Sequence, residues 1–458
     1  MSQTKGPPPS VSPPGPSVQE LLDRERRPIP PALRDQAFAA PGVATVDRAR
    51  YYSYEWHRLE VERLWRRVWQ MACREEEIPE AGDHVVYDIV DDSLIVVRAP
   101  DGAIRAYHNS CLHRGTRLRI EDGKVGGFRC PFHGWTWDLD GKLIHVPGGW
   151  DFPHVEPTEF CLPEAQVATW GGFVFVNMDA DCESFETYIE NLPEQFATWP
   201  LENRTKAVHV CKTLACNWKV ALEAFIEAYH SIATHPQILP YTGDANTQYD
   251  TWPGNRHVNR MITPFATPSP YVADTTAEQD IVDAMNSLGG GGGGDVRVPE
   301  DRTAREFMAE NMRGLFGAMT GIDMSERTDC EMLDSIEYYL FPNLAPWAGI
   351  LQGIVYRFRP NGDDPDSCLM DVMMLRPCAP DVPRPAPGPV HSLGLDESWE
   401  DAPELGGLIP IFLQDTSNVP RVQRGLKSSG ASAVTFGVYQ ESRHRQFHET
   451  LDAYLARP

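Results

Sequence analysis

Seven side chains have the types and spacing of metal ligands or their supports. Cys111-Leu112-His113 is followed, after sixteen intervening residues, by Cys130-Pro131-Phe132-His133. Each pair lies beside turn-forming residues, Arg114-Gly115 in one case and Pro131 with Gly134 in the other, so two loops can approach one centre from opposite sides. Two thiolates and two imidazoles suit an iron–sulfur centre, with the thiolates on one iron and neutral imidazoles on the other. They also suit a structural zinc ion. Zinc fingers usually run Cys-Cys-His-His with different gaps, which favours iron. Imidazoles in place of thiolates remove negative charge and raise the reduction potential above that of an all-cysteine cluster. His108 and His145 fall outside the pattern and read as surface or packing histidines.

The second constellation lies in Asn217–Pro236. Glu227 and His230 are three apart and would share a helical face. His235 lies five beyond His230, which an ideal helix would rotate away. Pro236 biases His235 out of the helical region, so the helix is expected to end there and let both imidazoles converge. Two histidines and a carboxylate would make a facial triad for Fe(II), with positions open for O₂. On its own the pattern E-x-x-H-x-x-x-x-H is only moderately specific, because an ordinary helix with scattered histidines also fits it.

The elements that must carry these residues are of two kinds. A proline-rich start (GPPPSVSPPGPS, then RRPIPP) predicts a mobile or extended arm. A helix is expected over roughly Tyr51 to Cys73. Short strands and turns follow: His84–Ile89, Leu94–Arg98, Ile104–His108, Trp135–Leu139, Lys142–Val146 and a buried strand Trp170–Asn177. Further on, Asn217–Thr234 has helical apolar spacing. Ile336–Phe341, Gly349–Arg359 and Cys368–Arg376 read as strands. Six glycines, Gly289–Gly294, predict a flexible loop, and the acidic, proline-rich stretch Ala379–Glu404 an irregular excursion.

Composition narrows the class. A chain of 458 residues calls for two domains plus appendages. The net charge of −24 argues against nucleic acid, whose phosphates would be repelled over most of the surface. No apolar run approaches the ~18 residues of a membrane span, and the N-terminus lacks an apolar signal core, so a cytoplasmic protein is expected. The ten cysteines form no disulfide-scaffold pattern. Cys73, Cys161, Cys182, Cys330, Cys368 and Cys378 read as small buried hydrophobes, and Cys211 and Cys216 match no ligand motif.

The sequence CLHRG…CPFHGW resembles the Rieske [2Fe–2S] motif at every matching position. With NWK, the E-x-Y-H-x₄-H stretch and the late QD…VQRGL segment, nearly the whole chain after the arm resembles the large (alpha) terminal oxygenase subunit of Rieske non-haem iron oxygenases of the ring-hydroxylating type. The resemblance implies an α+β fold: a small antiparallel β Rieske domain followed by a helix-grip (START-like) catalytic domain. Its boundaries would be an arm over 1–50, a Rieske domain with its preceding helix over 51–178, and a catalytic domain over 179–458. It implies that Cys111, His113, Cys130 and His133 hold the cluster, and that His230, His235 and Asp415 bind a mononuclear Fe(II). Aspartates are abundant, and the weight on Asp415 comes from the Gln423-Arg424-Gly425 match; a helix N-cap is the other reading.

Glu227 matches the family's bridging carboxylate, which links a cluster histidine of one subunit to an iron-binding histidine of its neighbour; an exposed helix glutamate is the alternative. Many members have aspartate there, and the longer glutamate resembles those acting on quaternary amines. Ala224 replaces a frequent asparagine. The implied activity is hydroxylation of a small aromatic or alicyclic substrate with O₂ and with electrons from NAD(P)H, delivered by a separate reductase or ferredoxin. Monooxygenation, by demethylation or on a quaternary amine, is the alternative. The implied assembly is a homotrimer, with or without a small beta subunit. Residues flanking the iron helix, such as Leu222, Phe225, Ile226 and Leu239, are candidates for pocket walls or plain core. A purely electron-transferring Rieske protein is the rival of another class. The roughly 280 residues beyond the cluster domain and the His230/His235 pair weigh against it.

Overall fold

The computed structural model describes residues 14–288, 296–350, 353–379 and 383–457. The Gly289–Gly294 expectation lies outside these. The fold is α+β. The first layer is a seven-stranded antiparallel sheet in which Phe173–Asn177 pairs with both Gln70–Arg74 and Glu164–Trp170, and the order continues through Ile104–His108, Asp92–Arg98 and Asp83–Ile89 to Gly123–Lys124. A three-stranded ribbon, Phe128–Arg129, Thr136–Trp137 and Leu143–His145, sits at the cluster end. Two expectations are corrected here. The helix expected to reach Cys73 comprises Tyr54–Glu60 and a wide turn, Val61–Trp65, and Gln70–Arg74 is a fully buried strand. Trp170–Asn177 is a hairpin closed by Gly171-Gly172, since two adjacent glycines form the tight turn that matches strand twist.

The second layer is an eight-stranded sheet in the order Gln248–Asp250, Val258–Thr263, Ser335–Leu340, Leu344–Ala348, Ile354–Asn361, Asp364–Pro377, Arg204–Leu214, Val390–Leu393. Every neighbouring pair is antiparallel except the last, which is parallel. The stretch expected as an irregular excursion therefore contributes an edge strand. Helices Trp218–Phe225 and Ile409–Ser428 pack together, the former also against the sheet, and Ser442–Leu455 is buried along most of its length.

One apolar core runs through both layers, from Met71, Val174 and Phe175 to Leu222, Phe225 and Ile226. These last three, candidates for pocket walls, are core, and Leu239 is buried as well. Polar ties cross the seam: Arg357 Nη1 donates to the carbonyls of Met71 and Ala72 at 2.9 and 3.1 Å. The Glu60 carboxylate accepts from Lys219 Nζ at 2.6 Å and Trp218 Nε1 at 2.9 Å, so a buried charge has a buried partner. A smaller core around Trp135, Trp137 and Phe128 encloses Cys111 and Cys130.

Residues 14–50 are not a free arm. Ser17 and Glu20 form a capping box on helix Val18–Leu22. Val18, Leu22 and Leu33 are buried, and truncating Leu33 to alanine is expected to cost about 2–5 kcal/mol. The Glu25 carboxylate accepts the backbone N–H groups of Asp329 and Cys330, both at 3.0 Å, and so caps helix Asp329–Leu333. Thr45–Asp47 pairs with Ala433–Thr435. Prolines set the local path, but the apolar residues between them have a face to bury on.

Candidate metal centres

The two cluster loops fold alike. Gly115 N–H donates to the Cys111 carbonyl at 2.9 Å, and Gly134 N–H to the Cys130 carbonyl at 3.1 Å. Both glycines have φ +78°, a left-handed conformation that side chains resist, so each loop can double back within four residues. Cys111 and Cys130 are buried. Burial pushes the Cys111 thiol up; at Cys130 burial is outweighed by backbone N–H groups of His133 and Phe132 aimed at the sulfur and by Cys111 itself, so its thiol is lowered. The two thiols are thus close enough to perturb each other, although they lie on separate loops.

The His113 and His133 ring centroids are 4.7 Å apart, and His113 stacks on Trp135 at 5.2 Å. His113 Nδ1 is buried with no hydrogen-bond partner among the described residues. An unpartnered imidazole nitrogen beside a second imidazole, on two loops that each carry a buried cysteine, fits a [2Fe–2S] cluster. Among the other cysteines, Cys73, Cys330 and Cys368 are buried as expected, Cys161 is exposed, and Cys182 and Cys378 are half-buried.

The second centre differs from the expected single helix. Helix Trp218–Phe225 stops at Ile226, and a short helix, Ser231–Thr234, ends at His235. Glu227 and His230 lie in the break between them, not on one continuous helical face. The break is pinned: Tyr249 Oη accepts from Ala228 N–H at 3.0 Å, and Arg443 Nη1 donates to the Ile226 carbonyl at 3.1 Å. Helix Ile409–Ser428 supplies Asp415 from its interior, which removes the N-cap alternative.

The ligand atoms of His230, His235 and Asp415 lie within 4.8 Å of one another. Asp415 Oδ1 is 2.7 Å from His235 Nε2 and 3.5 Å from His230 Nε2. It is nonetheless buried without hydrogen-bond geometry to any described group, although the short distance to His235 would suggest one. A buried carboxylate oxygen left without a hydrogen bond beside two imidazoles is what a cation site offers. Both rings are oriented from behind. Glu227 Oε1 lies 2.7 Å from His230 Nδ1, and Gln414 Oε1 lies 2.7 Å from His235 Nδ1. Burial opposes charge on His230, but Glu227 and Asp415 outweigh it and push its pKa up to about 10 without a metal. Such a site has a positive charge to release when a cation enters, and its donor set fits Fe(II).

Sequence reasoning missed Gln414, although it adjoins Asp415, because an amide carries no spacing signal. It also missed what Gln423 does. Gln423 Oε1 accepts from Asn217 N–H at 3.0 Å, and its Nε2 donates to the Tyr51 carbonyl at 2.8 Å, which ties the late helix to the start of the iron-site helix.

An α+β chain with a cysteine/histidine centre on a small β layer and a His₂–Asp centre beside a larger sheet defines a class. Residues 68–154 match the family described as the Rieske [2Fe-2S] domain. Residues 194–457 match the ring hydroxylating alpha subunit (catalytic domain), and the chain belongs to this family. Among curated relatives, it is 31% identical over 209 residues to the glycine betaine monooxygenase oxygenase subunit of Pseudomonas aeruginosa, covering 45% of this chain and 47% of that one. It is 33% identical over 208 residues to the chlorobenzene dioxygenase subunit alpha of Cupriavidus sp., covering 43% and 46%. The chain thus spans about half the length of the curated relatives it matches. Among solved structures, a quaternary ammonium Rieske monooxygenase with gamma-butyrobetaine superposes with TM-score 0.62 at 17% identity, covering 91% of this chain and 96% of that one. Naphthalene 1,2-dioxygenase from Rhodococcus sp. gives 0.60 at 20% identity, covering 90% and 95%. At these identities the likeness is one of fold.

Proposed function

We propose that this chain is the catalytic subunit of a Rieske oxygenase that hydroxylates a small aromatic or alicyclic molecule with O₂. The observation that supports the reading is that ligand atoms of His230, His235 and Asp415 lie within 4.8 Å of one another, in a chain that also carries the Cys111, His113, Cys130 and His133 pattern. The proposed electron source is NAD(P)H through a separate reductase or ferredoxin, and the proposed assembly is a homotrimer, with or without a small beta subunit, in the cytoplasm. Among the described residues no helix is long and apolar enough to cross a membrane.

Bound at the two sites, the cluster would supply electrons singly and the ferrous ion a place for O₂ reduction. The chain's residues do the rest. Cys111 and Cys130, with His113 and His133, would hold the cluster. Glu227 orients His230 through Nδ1 and leaves Nε2 for the ion, and Gln414 does the same for His235. Asp415 would supply the carboxylate beside the two imidazoles. On the helix that carries Asp415, the Phe412 ring centroid lies 6.2 Å from those of both Phe225 and Tyr356, and Tyr356 lies 6.0 Å from Trp347, a buried aromatic cluster.

A second reading, oxidation of a quaternary amine, rests on the same rings. Aromatic faces attract cations. Glu227 in place of aspartate and the similarity to a glycine betaine monooxygenase point the same way. A substrate panel with a surrogate reductase, scored by product mass and ¹⁸O₂ incorporation, tests both. Oxygenated arenes or alicyclics support the first reading, and aldehyde release from methylated amines the second. No product from either class overturns the proposal.

A further inference from the structure

Away from both metal sites, a cavity of about 540 Å³ opens where the start of strand Arg204–Leu214 meets the segment around Ile322–Arg327. Its walls include Arg204, Arg327 and Arg384, and its apolar side is formed by Trp199, Ile322, Met324 and Ile350. It shares no lining residue with the groove at Glu227, His230 and Asp415. Three arginines on the walls of one cavity are unexpected in a chain of net charge −24.

The carboxylate beside them is already occupied. Glu331 Oε1 accepts from Trp199 Nε1 at 3.0 Å and Arg327 Nη1 at 2.9 Å, and Oε2 from Thr328 N–H and Oγ1 at 2.9 and 3.0 Å. Arg384 makes no ion pair among the described residues. Arg204 is only 4% exposed. Its Nη2 donates to the Gly349 carbonyl at 2.6 Å, and its Nη1 is buried with no partner among the described residues. Burial, then Arg327 and Arg74, pull its pKa down to about 10, and no carboxylate opposes them.

Other buried arginines are treated differently. Arg260 pairs with Asp250 at 2.7 Å, Arg305 with Asp334 at 2.6 Å and Arg443 with Glu337 at 2.9 Å. A buried guanidinium facing like charge, with no counter-ion, is costly unless an anion joins it.

We infer that this cavity binds a small organic carboxylate, with the carboxylate at the Arg204, Arg327 and Arg384 guanidiniums and the apolar body against Trp199 and Ile350. The apolar wall selects such a ligand over a bare oxyanion, which would leave that wall facing water. The site is separate from the proposed oxygenation, so its test needs no turnover.

Calorimetric titration of the purified, metal-loaded protein uses benzoate as the probe, with inorganic phosphate as the second arm. The expected result is saturable benzoate binding that weakens about tenfold or more in Arg384→Ala and in Arg204→Leu. Arg384 is exposed, so its variant keeps the fold if Arg204→Leu does not. A benzoate affinity unchanged in Arg384→Ala, or no saturable binding up to about 10 mM, overturns the inference. Phosphate binding as tight as benzoate, lost in the same variant, also overturns it, in favour of a bare oxyanion site.

Discussion

Glu227 grips His230 at two points: its Oε1 lies 2.7 Å from Nδ1 of the ring, and its Oε2 accepts the residue's own backbone N–H at 3.0 Å. A carboxylate this committed to one histidine sets that ring's orientation and leaves little freedom for another role on its own chain. Glu227→Gln preserves shape and removes charge. The expected outcome is iron content near two cluster irons plus one mononuclear iron per chain, with turnover down about 10–100-fold. Iron analysis and single-turnover kinetics check it. Loss of the mononuclear iron would make Glu227 a ligand support only.

Gln414 holds His235 as Glu227 holds His230, and it forms a reciprocal amide pair with Gln237 at 2.6 and 3.2 Å. Gln414→Leu frees the His235 ring to rotate. Ferrous-ion affinity is expected to fall about 10–100-fold while the cluster absorption stays intact. Competition with a chelator measures it, and unchanged affinity removes Gln414 from the site.

Ligand deletions separate the centres. Cys111→Ser or His133→Ala should abolish the visible absorption and reduced-state magnetic signal of the cluster. His230→Ala, His235→Ala and Asp415→Ala should each lose one iron and product formation while the cluster remains reducible. Full activity in Asp415→Ala would send the search to another carboxylate.

Mixed assemblies test the proposed ring of three, in which each cluster serves the next subunit's iron. Chains carrying Cys111→Ser and chains carrying His230→Ala are each expected to be inactive. Co-expressed, some interfaces would join an intact cluster to an intact iron site and restore partial activity. Co-purified mixed oligomers that stay inactive would place electron transfer within one chain.

Glu223, in the last turn of helix Trp218–Phe225, predicts a pH effect on stability. Burial pushes its pKa from 4.5 to about 7, beyond the opposing pull of His444, Tyr51 and Lys219. The folded state then binds more protons than the unfolded state between those values, so this residue's contribution to stability falls as pH rises from 4.5 to 7. Glu223→Gln should flatten that part of the curve in denaturant titrations at stepped pH. An unchanged slope would show that Glu223 titrates normally.

Both candidate metal centres were legible in the amino-acid order because their candidate ligands sit close together and their turns are marked. Cys111 and His113 are separated by one residue, Cys130 and His133 by two, and Gly115 and Gly134 each provide a left-handed turn. Pro236 likewise marked where the short helix stops. Asp415 could be reached only through family resemblance, because a candidate ligand about 180 residues from His235 leaves no local trace. The tertiary structure decided three further matters. It broke the Asn217–Thr234 helix at Ile226, since Tyr249 and Arg443 satisfy the freed backbone groups. It docked residues 14–50, since their apolar side chains have a surface to bury on. It chose Gln414 as the partner of His235, since hydrogen bonds between distant segments are set by packing rather than by periodicity.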